Sequence, residues 1–189
     1  MKLIILIMSL SCLLNISFAS ATDWQSNPSS SLLSYAPSYE GMPINGRFSE
    51  FSAIYITDEK DQPTHLTVKV AMASADMGNS DINEAIRAVD WFNIADFPQA
   101  QFISNQFSLD ETGQFLAKGK LQLKGLNKPV TVPFRWQTLA EGEASMIGEL
   151  TLGRNNFFIG GEEWASGEQI GISVKVWFNV VFSRTAPNQ

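Results

Sequence analysis

From residue 170 to residue 182 apolar side chains take every second position: Ile170, Ile172, Val174, Val176, Phe178, Val180 and Phe182 alternate with Gly171, Ser173, Lys175, Trp177, Asn179, Val181 and Ser183. A period of two is the pleat of a β-strand with one buried face, and a helix cannot satisfy it. The same phase recurs in Leu66, Val68, Val70 and Met72, in Phe115, Ala117, Gly119, Leu121 and Leu123, and in Val130, Val132, Phe134 and Trp136. Between these runs stand "DEKDQP" at 58–63, "DETG" at 110–113, "KGLNKP" at 124–129 and "AEGE" at 140–143, whose Gly, Pro, Asn and Asp reverse a chain. Fainter alternation at 31–36, 44–57, 99–109 and 144–154 brings the expected total to about eight strands. Hairpins of this kind predict an all-β sandwich or an up-and-down barrel.

One stretch departs from the pattern. "SDINEAIRAVDWF" at 80–92 spaces Ile82, Ile86, Val89 and Trp91 at roughly helical intervals behind Ser80 and Asp81 as N-caps. It predicts a short helix ending at Asp90 and running into "WFNIADFPQAQF", which holds four aromatic rings and Pro98. A closed barrel of about eight strands is either filled by its own side chains or left wide enough for one slender ligand. Inward-facing candidates are Phe48, Phe102, Phe107, Phe115, Phe134, Trp136, Phe178 and Phe182, set beside Gly46, Ala117, Gly119 and Gly148. Small residues next to large ones leave a channel or let the rings interlock, and periodicity admits both.

The chain opens with Lys2 and the apolar run "LIILIMSLSCLLNISFA" at 3–19, too short for a membrane span and patterned as a secretory leader cleaved after Ala19. One domain over 20–189 is then expected, in a bacterial periplasm. The single cysteine, Cys12, falls in the leader, so no disulfide or thiolate metal site is expected in the remainder. Loss of Lys2 takes the net charge from −6 to −7, a sign that argues against nucleic acid or an anionic membrane surface as partner. No later apolar run approaches transmembrane length.

Catalytic parts are sparse. His65, the only histidine, sits on the polar phase of its strand, and the acid pairs Asp58–Glu59 and Glu162–Glu163 lie in turns. No nucleophile elbow, phosphate-cradling loop or histidine pair occurs, so neither enzyme activity, nor a metal, nor a cofactor is expected.

Four segments, in order, resemble the signature blocks of the YceI-like family: "INGRFSEFSAIYI" at 44–56, "WFNIADFPQAQF" at 91–102, "AKGKLQLKGLNKPVTVPFRW" at 117–136 and "GELTLGRNNFFIGGEEW" at 148–164. The resemblance implies an extended eight-stranded antiparallel barrel, lipocalin-like, with a short helix inserted between strands. It also implies a non-enzymatic periplasmic protein that binds or carries an isoprenoid lipid, either an isoprenoid quinone or a prenyl phosphate, and that could form a homodimer. Under that reading Trp91, Phe92 and Phe97 form a lid, Phe48, Phe102, Phe134, Trp136 and Phe158 supply wall, and Arg87 and Arg154 are the head-group candidates. The family's helical Asp-x-His-Leu-Arg pattern falls on Asn83, Ala85 and Arg87, so only its arginine is kept. "DWF" and the alanine of "FPQAQF" are similar to the branch of the family fused to membrane b-type cytochromes. The alternative is a filled barrel acting through its surface as a stress-related or respiratory-complex interaction protein.

Overall fold

The computed structural model describes residues 22–185 and renders the alternating segments as β1 Thr22–Ser26, β2 Leu32–Ala36, β3 Ser38–Tyr39, β4 Met42–Pro43, β5 Gly46–Phe48, β6 Phe51–Thr57, β7 Pro63–Ala71 and β8 Ala75–Asp76. Then follow α1 Ser80–Arg87 and strands β9 Gln99–Leu109, β10 Phe115–Leu123, β11 Leu126–Ala140, β12 Glu143–Gly153 and β13 Ser173–Arg184. Eight of these close a ring in the order β1, β6, β7, β9, β10, β11, β12, β13, and β13 returns to β1 with Trp24 opposite Arg184. The barrel, not the sandwich, is what the period of two builds. Lys175–Asn179 of β13 pair instead with β2, and β2, β5 and β8 extend the sheet toward α1.

Local departures from the sequence reading have local causes. The side chain of Asn79, not Ser80 or Asp81, caps α1 by accepting from the amides of Asp81 and Ile82 at 2.9 and 3.1 Å. The helix stops at Arg87 rather than Asp90, because Ala88 turns extended at ψ 170° and the Phe92 amide doubles back to the Ile86 carbonyl at 2.9 Å. The strand expected over 44–57 is split at Ser49 and Glu50. The turn expected over 124–129 contracts to Lys124 and Gly125, both at positive φ (46° and 74°), as a two-residue hairpin of the I′ kind requires. The leader expected over 1–19 lies outside the described residues.

The interior is filled at one end and hollow at the other. At the β1 end Trp136 packs against Tyr55, Trp24 and Phe182 with ring centroids 4.5, 5.2 and 5.4 Å apart, and Phe115 stacks on Phe134 at 5.3 Å. These tilted, edge-on and stacked contacts are what ring quadrupoles favour, and they plug the barrel. The inward glycines serve interlocking: a Cβ on Gly119 would stand 2.7 Å from Phe102 Cζ, and one on Gly148 would stand 2.5 Å from Phe178 Cζ.

One wall is incompletely zipped. β11 is 15 residues long, yet it faces β12 only from Arg135 to Ala140. The tight Lys124–Gly125 turn makes Leu123–Leu126 the bonded closing pair, and alternation along the ladder leaves Lys120–Pro129 and Leu116–Pro133 as non-bonded pairs. Pro129 and Pro133 therefore direct their hydrogen-less nitrogens toward β12 and strip donors from that edge. Val130 and Val132 on one side and Leu150 and Leu152 on the other stand half-buried along the unpaired seam.

Candidate functional site

Between the aromatic plug and α1 lies a cavity of about 240 Å³. Its middle is lined by inward residues of consecutive strands, among them Val68, Val70, Phe102, Leu121, Val130 and Val132. Its helix end is lined by Phe48, Ile86, Trp91, Phe92, Phe157 and Ile159. The wall is thus almost wholly aliphatic and aromatic, the surface an apolar chain displaces water from most favourably.

The helix that roofs the cavity is held by polar contacts on its outer side. Asn83 Nδ2 donates to Asp76 Oδ1 at 3.0 Å, and Asn83 Oδ1 accepts from the Met77 amide at 2.7 Å. Asp76 also accepts from the Gly78 amide at 2.9 Å and pairs with Arg47 at 3.5 Å. The Asn83 and Gly78 hydrogen bonds, then Arg47, hold the Asp76 carboxyl below its usual range. With the roof so fixed, Phe92 meets Tyr35 and Phe48 at centroid distances of 6.5 and 6.2 Å, while Tyr35 and Phe48 lie 4.8 Å apart.

Arg154 is 3% exposed and reaches the cavity's edge, but its guanidinium is spent on the chain itself. Nε donates to the Gly171 carbonyl at 3.0 Å, Nη1 to Asn155 Oδ1 at 3.0 Å and to the Ile159 carbonyl at 2.9 Å, and Nη2 to the carbonyls of Ile170 at 2.6 Å and of Trp164. An arginine has five N–H groups, and all five are placed. The residue braces the segment between β12 and β13, and burial pushes its pKa down. Lys124, at the β10–β11 turn, donates to the carbonyls of Asp90 and Phe158 at 3.0 and 2.7 Å, tying the helix exit to that same segment.

The candidate residues therefore separate. Phe48, Trp91, Phe92, Phe102 and Arg154 line the cavity. Phe134 and Trp136 belong to the plug, and Phe97 packs over the hairpin turn, where a Cβ on Gly125 would stand 2.6 Å from its Cε1. Phe158 is corrected: it sits in the left-handed region at φ 51°, is 71% exposed, and leaves Phe157, 2% exposed, to line the cavity. Arg87 is likewise outside, exposed and donating to the Ala73 carbonyl at 3.1 Å. Tyr35, Met72 and Met77 also line the cavity and were not singled out; Met72 shares the alternating phase of β7, whereas Tyr35 sits in a run too short to show its inner face.

Away from the cavity, His65 lies on the outer face of β7 with its ring against Asn105 Oδ1 at 2.5 Å and Thr67 Oγ1 at 2.7 Å. Glu162 and Glu163 are exposed, and Asp58 accepts the Lys60 and Gln62 amides within its turn. Among the described residues no helix is long and apolar enough to cross a membrane, and no group of three His, Cys, Asp or Glu is placed to hold a metal.

Known proteins bear on this geometry. A UPF0312 protein of Shewanella denitrificans is 31% identical over 101 residues, and one of another Shewanella is 29% identical over 125; the matches span 52% and 64% of those proteins, under two-thirds of either. Among solved structures, BcnA of Burkholderia cenocepacia superposes with a TM-score of 0.77 at 26% identity, covering 82% of this chain and 98% of that one. A polyisoprenoid binding domain from Saccharophagus degradans shares the fold, with a TM-score of 0.68 at 13% identity over 86% of this chain and 98% of that one. The model of the YceI-like domain matches residues 24–182, from Trp24 in the plug to Phe182 at the closure of the barrel, and the chain belongs to that family.

Proposed function

We propose that this protein is a non-catalytic binder or carrier of an isoprenoid lipid, held as an extended chain in the hollow half of the barrel, and that it works in the periplasm after secretion. The observation that carries the reading is the continuous apolar cavity of about 240 Å³ between plug and helix. Its size lies just below the roughly 300–1,000 Å³ of sites for drug-sized molecules, which suits a slender chain. Each buried methylene contributes about 0.8 kcal/mol, so a five-carbon isoprene unit is held by a gross ~4 kcal/mol with no specific bond. The Saccharophagus degradans neighbour, a polyisoprenoid binding domain of the same fold, supports the choice of chain. The placement of His65 and of the paired carboxylates outside the cavity supports a binder over a catalyst.

The test is native mass spectrometry of protein recovered from the periplasmic fraction, followed by solvent extraction. A stoichiometric isoprenoid released from the barrel is expected. A protein that is empty, and whose mass stays fixed when isoprenoid quinones and prenyl phosphates are supplied, overturns the reading in favour of a partner bound on the outer surface. Recovery with the cytoplasmic fraction overturns the location.

A further inference from the structure

Among the described residues that line the cavity, Tyr35 is the one whose side chain holds a buried polar atom without a hydrogen-bond partner. The residue is 6% exposed, lines the cavity beside Phe48 and Phe92, and its hydroxyl is buried with no hydrogen bond. Buried phenols ordinarily find a partner, and phenylalanine would fill this aromatic cluster without leaving an orphan. Burial first, and the Asp76 carboxylate second, push the phenol well above its ordinary pKa, so it remains a neutral donor throughout the physiological range.

Among the described residues that line the cavity the one cation is Arg154, and Arg87, Lys124 and Arg47 lie outside that lining. Arg154 has all five N–H groups on the chain, Arg87 is exposed and bonded to the Ala73 carbonyl, Lys124 is tied to two carbonyls, and Arg47 pairs with Asp76. A phosphate drawn into that lining would find no free N–H on its one cation. A carbonyl, ether or hydroxyl oxygen asks only for a neutral donor.

Building on the lipid-binding reading above, we propose that Tyr35 is a specificity-determining residue that hydrogen-bonds a neutral oxygen on the ligand, so that the cavity selects an uncharged, oxygen-bearing isoprenoid over a prenyl phosphate. The experiment compares three probes of the purified protein: a short-tailed isoprenoid quinone, geranyl phosphate and the hydrocarbon myrcene, each followed by displacement of an apolar fluorophore. The quinone is expected to bind best. Tyr35→Phe should weaken the quinone about three- to tenfold, the range of one neutral hydrogen bond, leave myrcene unchanged, and raise the melting temperature of the empty protein by removing the orphan.

Equal affinities in wild type and Tyr35→Phe overturn the proposal, as does a loss shared by all three probes, which marks Tyr35 as plain wall. Tightest binding of geranyl phosphate overturns the neutral-head selection. Failure of all three probes to bind overturns the cavity reading and this inference with it, whereas binding that is indifferent to Tyr35→Phe overturns this inference alone.

Discussion

Arg154 and Gly171 meet across the base of the long β12–β13 connection, Nε donating to the carbonyl at 3.0 Å, and the same guanidinium gathers three further carbonyls and one side-chain oxygen from that connection. A lysine offers three donors on a point charge and cannot reproduce a planar fork. Arg154→Lys is expected to destabilise the fold by about 2 to 4 kcal/mol, because buried carbonyls lose charge-assisted bonds, and denaturant unfolding checks it. Stability within error of wild type would show that the connection holds without its brace.

Gly119 and Phe102 make a second measurable pair. Gly119→Ala sets a methyl 2.7 Å from Phe102 Cζ and against the neighbouring backbone, and should destabilise by about 1 to 3 kcal/mol. Adding Phe102→Leu relieves the ring contact, so a double-mutant cycle should show positive coupling between the positions. Additive losses would refute the interlock.

The unpaired seam is legible to hydrogen exchange. The Asn127 and Thr131 amides share the orientation of the Pro129 and Pro133 nitrogens and face the unzipped side, whereas those of Val130 and Val132 are bonded to β10. Asn127 and Thr131 are expected to exchange much faster than Val130 and Val132. Uniform protection along 127–132 would mean that β12 closes on this edge in solution.

Trp91 is half-buried over the cavity, so Trp91→Ala should destabilise by about 2 kcal/mol, less than a fully buried ring would. Under the proposed function the larger effect is on retention: bound isoprenoid should leave the variant faster in a stopped-flow release measurement. An unchanged release rate removes Trp91 from the lid.

Acid should loosen the roof. Asp76 is a carboxyl held below its ordinary pKa of 3.8 by Asn83, Gly78 and Arg47, so its contribution is complete above that value and disappears as the pH falls through the lower, folded one. The stability difference between wild type and Asp76→Asn, read from unfolding midpoints, should be constant near neutrality and shrink below about pH 4. A difference that grows on acidification would contradict the assignment.

The period of two makes the long strands readable because each buries one face, and the same alternation places Phe102 and Phe182 inside, where both are buried. β1 is not readable: of its five residues only Trp24 is apolar, and a single apolar side chain defines no period. The Phe157–Phe158 pair failed for a related reason, since a 3₁₀ turn replaces alternation there and the left-handed φ of Phe158 decides which ring turns inward. Arg154 could be found as a matching residue but not as a brace, because four of its five partners are carbonyls, which every residue possesses. The end of α1 was hidden likewise: nothing in Ala88 or Val89 forbids helix, and the stop comes from backbone bonds made after it.

The aromatic plug makes the barrel a vial and not a pipe. With Tyr55, Trp136 and Phe182 sealing the floor, a guest cannot travel in at one end and out at the other. Under the proposed function, filling and emptying must both avoid that floor, and a guest too long for the vial keeps its excess length on the side away from the plug.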